Sequence, residues 1–142
     1  MLRDAFESPA EHAPEELKRQ YEDRLAETVE KQGVETVAES TDIDVEVLSG
    51  LLDGEQPELT LEEATAILAT DEEYPDAETL LLEARDILLM GMSIAVLDVE
   101  AVASGLNDRM EPKEIQQKME GRYPITLEEY ALLHHYIESE KR

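Results

Sequence analysis

The stretch from Val34 to Gly54, VETVAESTDIDVEVLSGLLDG, has the pattern of two short helices joined by a tight turn. Its apolar residues fall at helical spacing, Asp42 and Asp44 supply turn and N-cap chemistry, and Gly54 ends the second helix. A related pattern returns about 65 residues later, from Val99 to Gly121. Every apolar pattern in the chain has the period of a helix and none alternates as in a strand, so we expect an all-α fold.

The two halves of the chain match in the order of their signals. Val34–Ala38 aligns with Val99–Ala103, and the capping boxes Thr60–Glu63 and Thr126–Glu129 follow at similar distances. In the helix upstream, three apolar residues align with three others 65 positions further on: Leu17, Leu25 and Val29 with Leu82, Met90 and Ile94. The sequence therefore predicts a duplicated four-helix unit, packed as one compact body or as two small lobes.

The positions of proline and of acidic residues divide the chain into four predicted parts. Residues 1–13 form an N-terminal arm, in which Phe6 is expected to anchor the arm onto the body. Pro14 begins a first helical unit over residues 14–70. The segment 71–76, DEEYPD, is an acidic linker without periodicity. A second helical unit follows over residues 77–139.

The formal net charge of -24, from 36 acidic and 12 basic residues, needs a physical reason in a folded chain. Self-repulsion opposes compaction at low salt, whereas at molar salt the screening length falls to about 3 Å. The acids are spread along the chain, which favours a halophilic cytoplasm over an acidic tail. An ordinary acidic protein with an acidic interaction face is the alternative. As a whole, the chain resembles small acidic proteins of salt-loving archaea.

Several classes of protein are excluded by what the sequence lacks. Without cysteine there is no disulfide and no thiolate chemistry. The N-terminus has no apolar signal core, and the longest apolar stretch, 87–97, is too short to span a bilayer, so we expect no membrane contact and a cytoplasmic location. No constellation supports catalysis, a metal or another cofactor, and we expect a protein that is not an enzyme. We expect His134 to be a packed, hydrogen-bonded residue rather than a metal ligand. We expect three methionines to be core residues rather than a binding strip: Met90, Met92 and Met110.

The first copy resembles the phage-repressor (Cro/C1-type) helix-turn-helix family. The resemblance is carried by Ala38 at the helix crossing, by Asp42 in the turn, and by inward apolar residues: Val37, Ile43, Leu48 and Leu51. In the second copy the corresponding places are taken by Ala103, Asn107, Met110, Ile115, Met119 and Gly121. That copy departs from the family by a two-residue insertion in the turn and by Lys118, where the first copy has Leu51. The resemblance implies tandem helix-turn-helix units, each with a second helix that could enter the major groove.

The outward faces of these second helices differ between the copies. The first is expected to expose Asp44, Val45, Glu46, Ser49, Gly50 and Asp53, none of them basic, and is a poor DNA reader. The second offers six candidate DNA-binding residues: Arg109, Lys113, Gln116, Gln117, Lys118 and Arg122. Glutamine can read bases while lysine and arginine hold phosphates. The alternative is a solvated face whose lysines pair with Glu114 and Glu120.

Two functional hypotheses follow from these faces. The first is a regulatory protein that contacts DNA through the second unit, as a monomer or a homodimer. The second is a protein–protein interaction module, derived from a helix-turn-helix, that no longer contacts DNA.

Overall fold

The structure, a computed structural model, describes residues 13–141, and its regular elements are helices. They are α1 (Pro14–Gln32), α2 (Val34–Thr41), α3 (Val45–Leu52), α4 (Leu61–Leu68), α5 (Ala77–Ala95), α6 (Val99–Gly105), α7 (Pro112–Met119) and α8 (Leu127–Glu140). Within residues 13–141 no strand is present, and an isolated antiparallel bridge joins Thr60 to Thr126. The all-α class is confirmed. The arm with Phe6 lies outside the described residues, apart from Ala13.

Two helices begin at the capping boxes that the sequence predicts. The Oγ1 atoms of Thr60 and Thr126 accept hydrogen bonds from the backbone N–H of Glu63 and Glu129 at 3.1 and 3.0 Å. Each glutamate side chain accepts in return from the threonine N–H, at 3.0 Å in both cases. Both boxes are confirmed, and they fix where α4 and α8 begin.

The two units share one continuous core. Helix α1 packs against α3 and α4 of its own unit and against α8 of the other, while α5 packs against α8 and α4. Buried apolar side chains from both units form a single cluster. The units also meet through two reciprocal hydrogen bonds: Leu61 N–H donates to Ile125 O at 2.7 Å, and Leu127 N–H to Leu59 O at 2.9 Å. Reciprocal bonds of this kind are expected from two related units, but the duplication itself stays a prediction.

The register predicted between the first helices of the two units is wrong. Helices α1 and α5 are each 19 residues long and start at 14 and 77, an offset of 63 rather than 65. Leu17, Leu25 and Val29 are buried, and at this offset they match buried residues: Leu80, Leu88 and Met92. The residues expected to match them are exposed: Leu82 by 52 %, Met90 by 53 % and Ile94 by 56 %. Met90 is therefore not a core residue, although Met92 and Met110 are buried as expected.

Helix α8 approaches α5 closely at Gly91. A Cβ atom on Gly91 would lie 2.6 Å from Cγ2 of Ile137, which is closer than unbonded carbon atoms pack.

Two buried tyrosines form hydrogen bonds in the core. The Tyr130 hydroxyl donates to the carbonyl of Ala84 at 2.9 Å, and the Tyr21 hydroxyl is 2.8 Å from His134 Nδ1. His134 is buried, so the interpretation as a packed, hydrogen-bonded histidine is confirmed.

The acidic linker is held to the first unit at its start. Asp71 is buried, and its Oδ1 accepts from the N–H of Glu73 at 3.0 Å. Its Oδ2 lies 3.0 Å from Lys31 Nζ. The hydrogen bond from Glu73 and then that from Lys31 lower the pKa of Asp71. The carboxylate thus fastens the end of α1 to the turn between the units.

Helix α5 ends at a strained residue, Val96. Val96 has φ 57° and ψ 52°, the left-handed region that β-branched residues avoid, and it is 89 % exposed. Val96→Gly removes this strain and is expected to raise the free energy of unfolding by about 1 kcal/mol. Denaturant unfolding at constant KCl measures the change, with Val96→Ala as a control that retains a Cβ. A variant no more stable than the parent would contradict this expectation.

Candidate nucleic-acid interface

The second unit positions α7 through a cap and a long turn. Asp98 caps α6, its Oδ1 accepting from the N–H of Ala101 at 2.8 Å. The turn that follows contains two consecutive left-handed residues, Asn107 at φ 57° and Asp108 at φ 60°. These residues accommodate the two-residue insertion, and Pro112 then begins α7.

Helix α7 turns its apolar side inward and its amide side outward. Ile115 and Met119 are buried, Lys113 and Gln116 are exposed, and Gln117 is half-buried. No carboxylate among residues 13–141 pairs with Lys113 at ion-pair distance. Lys113, Gln116 and Gln117 therefore lie in a strip on the outward side of α7, and their role in DNA binding stays a prediction.

Lys118 has a structural role at the edge of that strip. Its side chain is 16 % exposed, and its Nζ lies 2.8 Å from Glu114 Oε2 and also contacts Glu129 of the α8 capping box. Burial lowers the pKa of Lys118, but hydrogen bonds to the two glutamates outweigh burial and raise it overall. Reaching a phosphate would cost Lys118 both contacts, so it couples α7 to α8.

Glu120 places a negative charge within the strip. Its Oε2 accepts from Gln116 Nε2 at 3.3 Å, and its Oε1 lies 3.2 Å from Arg122 Nε. Arg122 is nevertheless 69 % exposed in its side chain. The side chains of Gln116 and Arg122 can both turn from Glu120 to another acceptor, because an exposed pair of this kind contributes less than about 1 kcal/mol of stability.

Two residues that were not predicted from the sequence adjoin the strip, Arg85 by its packing at the end of α7 and Tyr123 by its place after Arg122 in the chain. The guanidinium of Arg85 covers the end of α7, since a Cβ on Gly121 would lie 2.5 Å from Arg85 Cζ. A cation there also complements the negative end of the helix dipole. Tyr123 is 56 % exposed and follows Arg122. Arg85 comes from α5, so only the packing of α5 on α7 reveals it, whereas Tyr123 could have been identified by its position in a loop.

Arg109 lies in a different setting from the helical residues. It lines a cleft of about 360 Å³ together with Met110 of the same turn. Its lining also includes Lys18 from α1 and two acids from α8, Glu128 and Glu129. Because the cleft mixes both signs of charge, it does not favour an anion, and this setting suits a phosphate less well than the exposed positions of Lys113 and Arg122.

The equivalent helix of the first unit presents a different surface. Asp42 lies in the turn after α2, as predicted, and has the left-handed conformation with φ 60°. Asp44 stands at the start of α3, but its side chain accepts no capping hydrogen bond, contrary to expectation. Gly50 was also expected to be exposed and is buried, because Glu55 folds over it. Val45 and Leu52 are 44 % and 40 % exposed on this helix.

Sequence comparison places the chain in a family. The model of a family of unknown function, DUF5791, matches residues 17–140. The chain belongs to this family. No curated protein matches the chain, and no solved structure does. The match runs from α1 to α8.

Among residues 13–141, no group of three or more histidine, aspartate or glutamate side chains is arranged to hold a metal ion. No single helix in that range is long and apolar enough to cross a bilayer, although α5 and α6, bent by 91°, reach the required length and composition as a pair. Apart from carboxylates such as Glu120, the exposed groups on α7 and directly after it are amides, cations and one tyrosine. Amides and cations can bind acceptors, and a tyrosine can stack on bases.

Proposed function

We propose that this protein is a non-enzymatic regulatory protein of the helix-turn-helix type that contacts DNA through α7 of the second unit. It would work in a halophilic cytoplasm, where molar salt screens the repulsion between an acidic protein and DNA. The proposal is supported most by one observation, the outward strip of Lys113, Gln116 and Gln117 with Arg122 and Arg85 at its end.

The chemistry of the strip suits a division of roles. The amides of Gln116 and Gln117 offer both donors and acceptors, which is what adjacent base edges require in the major groove. Lys113 at one end of α7 and Arg122 beyond the other could hold phosphates and set the register. Arg85 adds a cation from α5 next to Gly121. The first unit has no equivalent, because there is no lysine or arginine between Gln32 and Ala84.

Charge reversal at both ends of the strip should abolish most of the binding. A duplex is first selected from a random-sequence library by the protein in molar KCl, and its affinity is then measured by fluorescence anisotropy. Lys113→Glu with Arg122→Glu is expected to weaken binding by about 30-fold or more, because two phosphate contacts become repulsive. Glu120→Gln should strengthen binding by removing the acid between Gln116 and Arg122.

The controls separate this contact from net charge. Arg19→Glu reverses an exposed charge on α1, far from α7 in sequence, and should change affinity little. Gln116→Ala with Gln117→Ala should cost about 1–3 kcal/mol per lost base contact and relax the sequence preference. Failure to enrich any duplex at any salt concentration would refute the proposal, as would equal losses in the strip variant and in Arg19→Glu.

The competing function is a protein–protein interaction module. It is favoured by the ion pairs of Lys118 and Arg122, which neutralise part of the strip, and by the exposed Val45 and Leu52 on α3. If this function holds, a stable complex formed at native salt should be lost on Val45→Glu with Leu52→Glu. The same complex should tolerate Gln116→Ala with Gln117→Ala. The opposite pattern would favour DNA contact.

A further inference from the structure

Helix α5 carries an apolar stripe on its exposed side. Its members are Leu82, Leu89, Met90, Ile94 and the adjoining Val96, each between 47 % and 89 % exposed. The four helical members fall within one side of the helix at 100° per residue, with Asp86 and Ser93 between them. No other helix of the described chain has so many exposed large apolar residues.

The same chain supplies an internal control for this surface. At the 63-residue offset, the positions of Leu82, Met90 and Ile94 are occupied on α1 by Arg19, Glu27 and Lys31. Since α1 packs with charged residues at these places, the fold does not require apolar ones. Contiguous exposed apolar surface that packing does not require indicates an interaction site.

We propose that this stripe is the contact surface of a homodimer, in which α5 packs antiparallel against α5 of a second copy. The proposal is independent of what α7 contacts. Charge favours a second copy at this face in particular. Residues 87–97 contain no charged side chain, in a protein where 34 % of residues are charged. Two copies of net charge -24 can therefore meet here without opposing acids.

Charge also selects the antiparallel arrangement. Glu83 and Asp86 lie in the N-terminal half of the exposed side, whereas Met90, Ile94 and Val96 lie in its C-terminal half. A parallel pair would set Glu83 and Asp86 against the same residues of the other copy. A two-fold axis near Leu89 instead places the acids of each helix opposite the apolar half of the other.

The size of the stripe determines how strongly two copies are expected to associate. From Leu82 to Val96 it is about 21 Å long, at 1.5 Å per residue, and one helix wide. This is smaller than the roughly 800 Å² per partner of a standard interface, so a reversible dimer in the micromolar range is expected. Val96 adds most to the exposed apolar surface while occupying a backbone conformation that disfavours it.

Sedimentation equilibrium of the full chain in 2 M KCl tests the proposal. The expected result is a monomer–dimer equilibrium that Leu89→Glu with Ile94→Glu weakens at least 10-fold. The matched control is Val45→Glu with Leu52→Glu, which adds the same charges at apolar residues of similar exposure on α3 and should leave the dimer intact. Val96→Gly should weaken association several-fold while raising the melting temperature, which separates lost contact from lost folding.

A second measurement tests the geometry. The chain has no cysteine, so a single introduced cysteine reports on one position. Leu89→Cys, next to the proposed axis, should form a disulfide-linked dimer on mild oxidation, while Ser104→Cys on α6 should not. A monomer at all concentrations would overturn the proposal and assign the stripe to another occupant, such as residues 1–12 or a different protein. A dimer insensitive to the Leu89 and Ile94 changes would also overturn it.

Discussion

Transfer from molar KCl to about 10 mM KCl at pH 7 is expected to unfold the protein. A net charge of -24 is held within a radius of gyration of about 15 Å in the folded chain, against about 40 Å in the unfolded chain. Coulomb's law with Debye screening makes the self-repulsion of the folded chain, relative to that of the unfolded chain, about 20 kcal/mol larger at 10 mM than at 1 M salt. That exceeds the roughly 5–15 kcal/mol by which domains are stable. Repulsion is most acute over residues 33–84, which hold sixteen acids and no lysine or arginine.

Circular dichroism during a KCl titration measures this effect. Helical signal should be lost at low salt and regained as KCl rises to the molar range, with the melting temperature increasing throughout. Sucrose serves as a control, because it favours compact states without screening charge. It should restore much less structure than KCl of equal osmolarity. A melting temperature indifferent to KCl would contradict the halophile proposal.

Acidification is expected to destabilise the fold through His134, whose imidazole is buried without charge. Burial lowers the pKa of His134 to about 4, while Glu138 acts in the opposite direction and Lys141 reinforces the shift. An unfolded histidine takes up its proton near pH 6.5. Between these values the unfolded chain binds more protons, so this stability is fully present above about pH 6.5 and is lost as the pH falls toward about 4. The loss amounts to about 3 kcal/mol.

The contribution of His134 is measured as a difference between two proteins. Lowering the pH also reduces the net negative charge and so relieves repulsion, and the parent alone therefore gives a mixed result. His134→Asn keeps an acceptor for the Tyr21 hydroxyl but does not titrate. The unfolding free energy of His134→Asn is subtracted from that of the parent at each pH. This difference should fall by about 3 kcal/mol as the pH is lowered from about 6.5 to about 4. His135→Asn is the matched control. Parallel profiles for the parent and His134→Asn would contradict the assignment.

Much of the fold could be predicted from local chemistry. Helix α1 begins at Pro14 and α3 ends just before Asp53–Gly54, as their proline and glycine signals predict. The capping boxes fixed the starts of α4 and α8 in the same way. These signals act within one turn of the helix, so neighbouring residues suffice to identify them.

The failures have a common physical cause, which is contact between distant parts of the chain. Helix α5 is apolar on most of its circumference, so periodicity could not choose which side is buried, and Met90 was assigned to the core. The pairing of Lys118 with Glu129 and the approach of Arg85 to Gly121 depend on how α7 packs against α8 and α5. Of the six residues predicted to form the site, four remain as an outward strip: Lys113, Gln116, Gln117 and Arg122.

The most direct test of the proposed function is a nuclear magnetic resonance titration of the 16.0 kDa protein with the selected duplex in molar KCl. The side-chain amide signals of Gln116 and Gln117 report on the contact without any mutation. The proposal predicts that these signals and the backbone signals of α7 shift most, with α3 unchanged. Shifts confined to α3 or to the α5 stripe, or no shifts with any duplex, would contradict it.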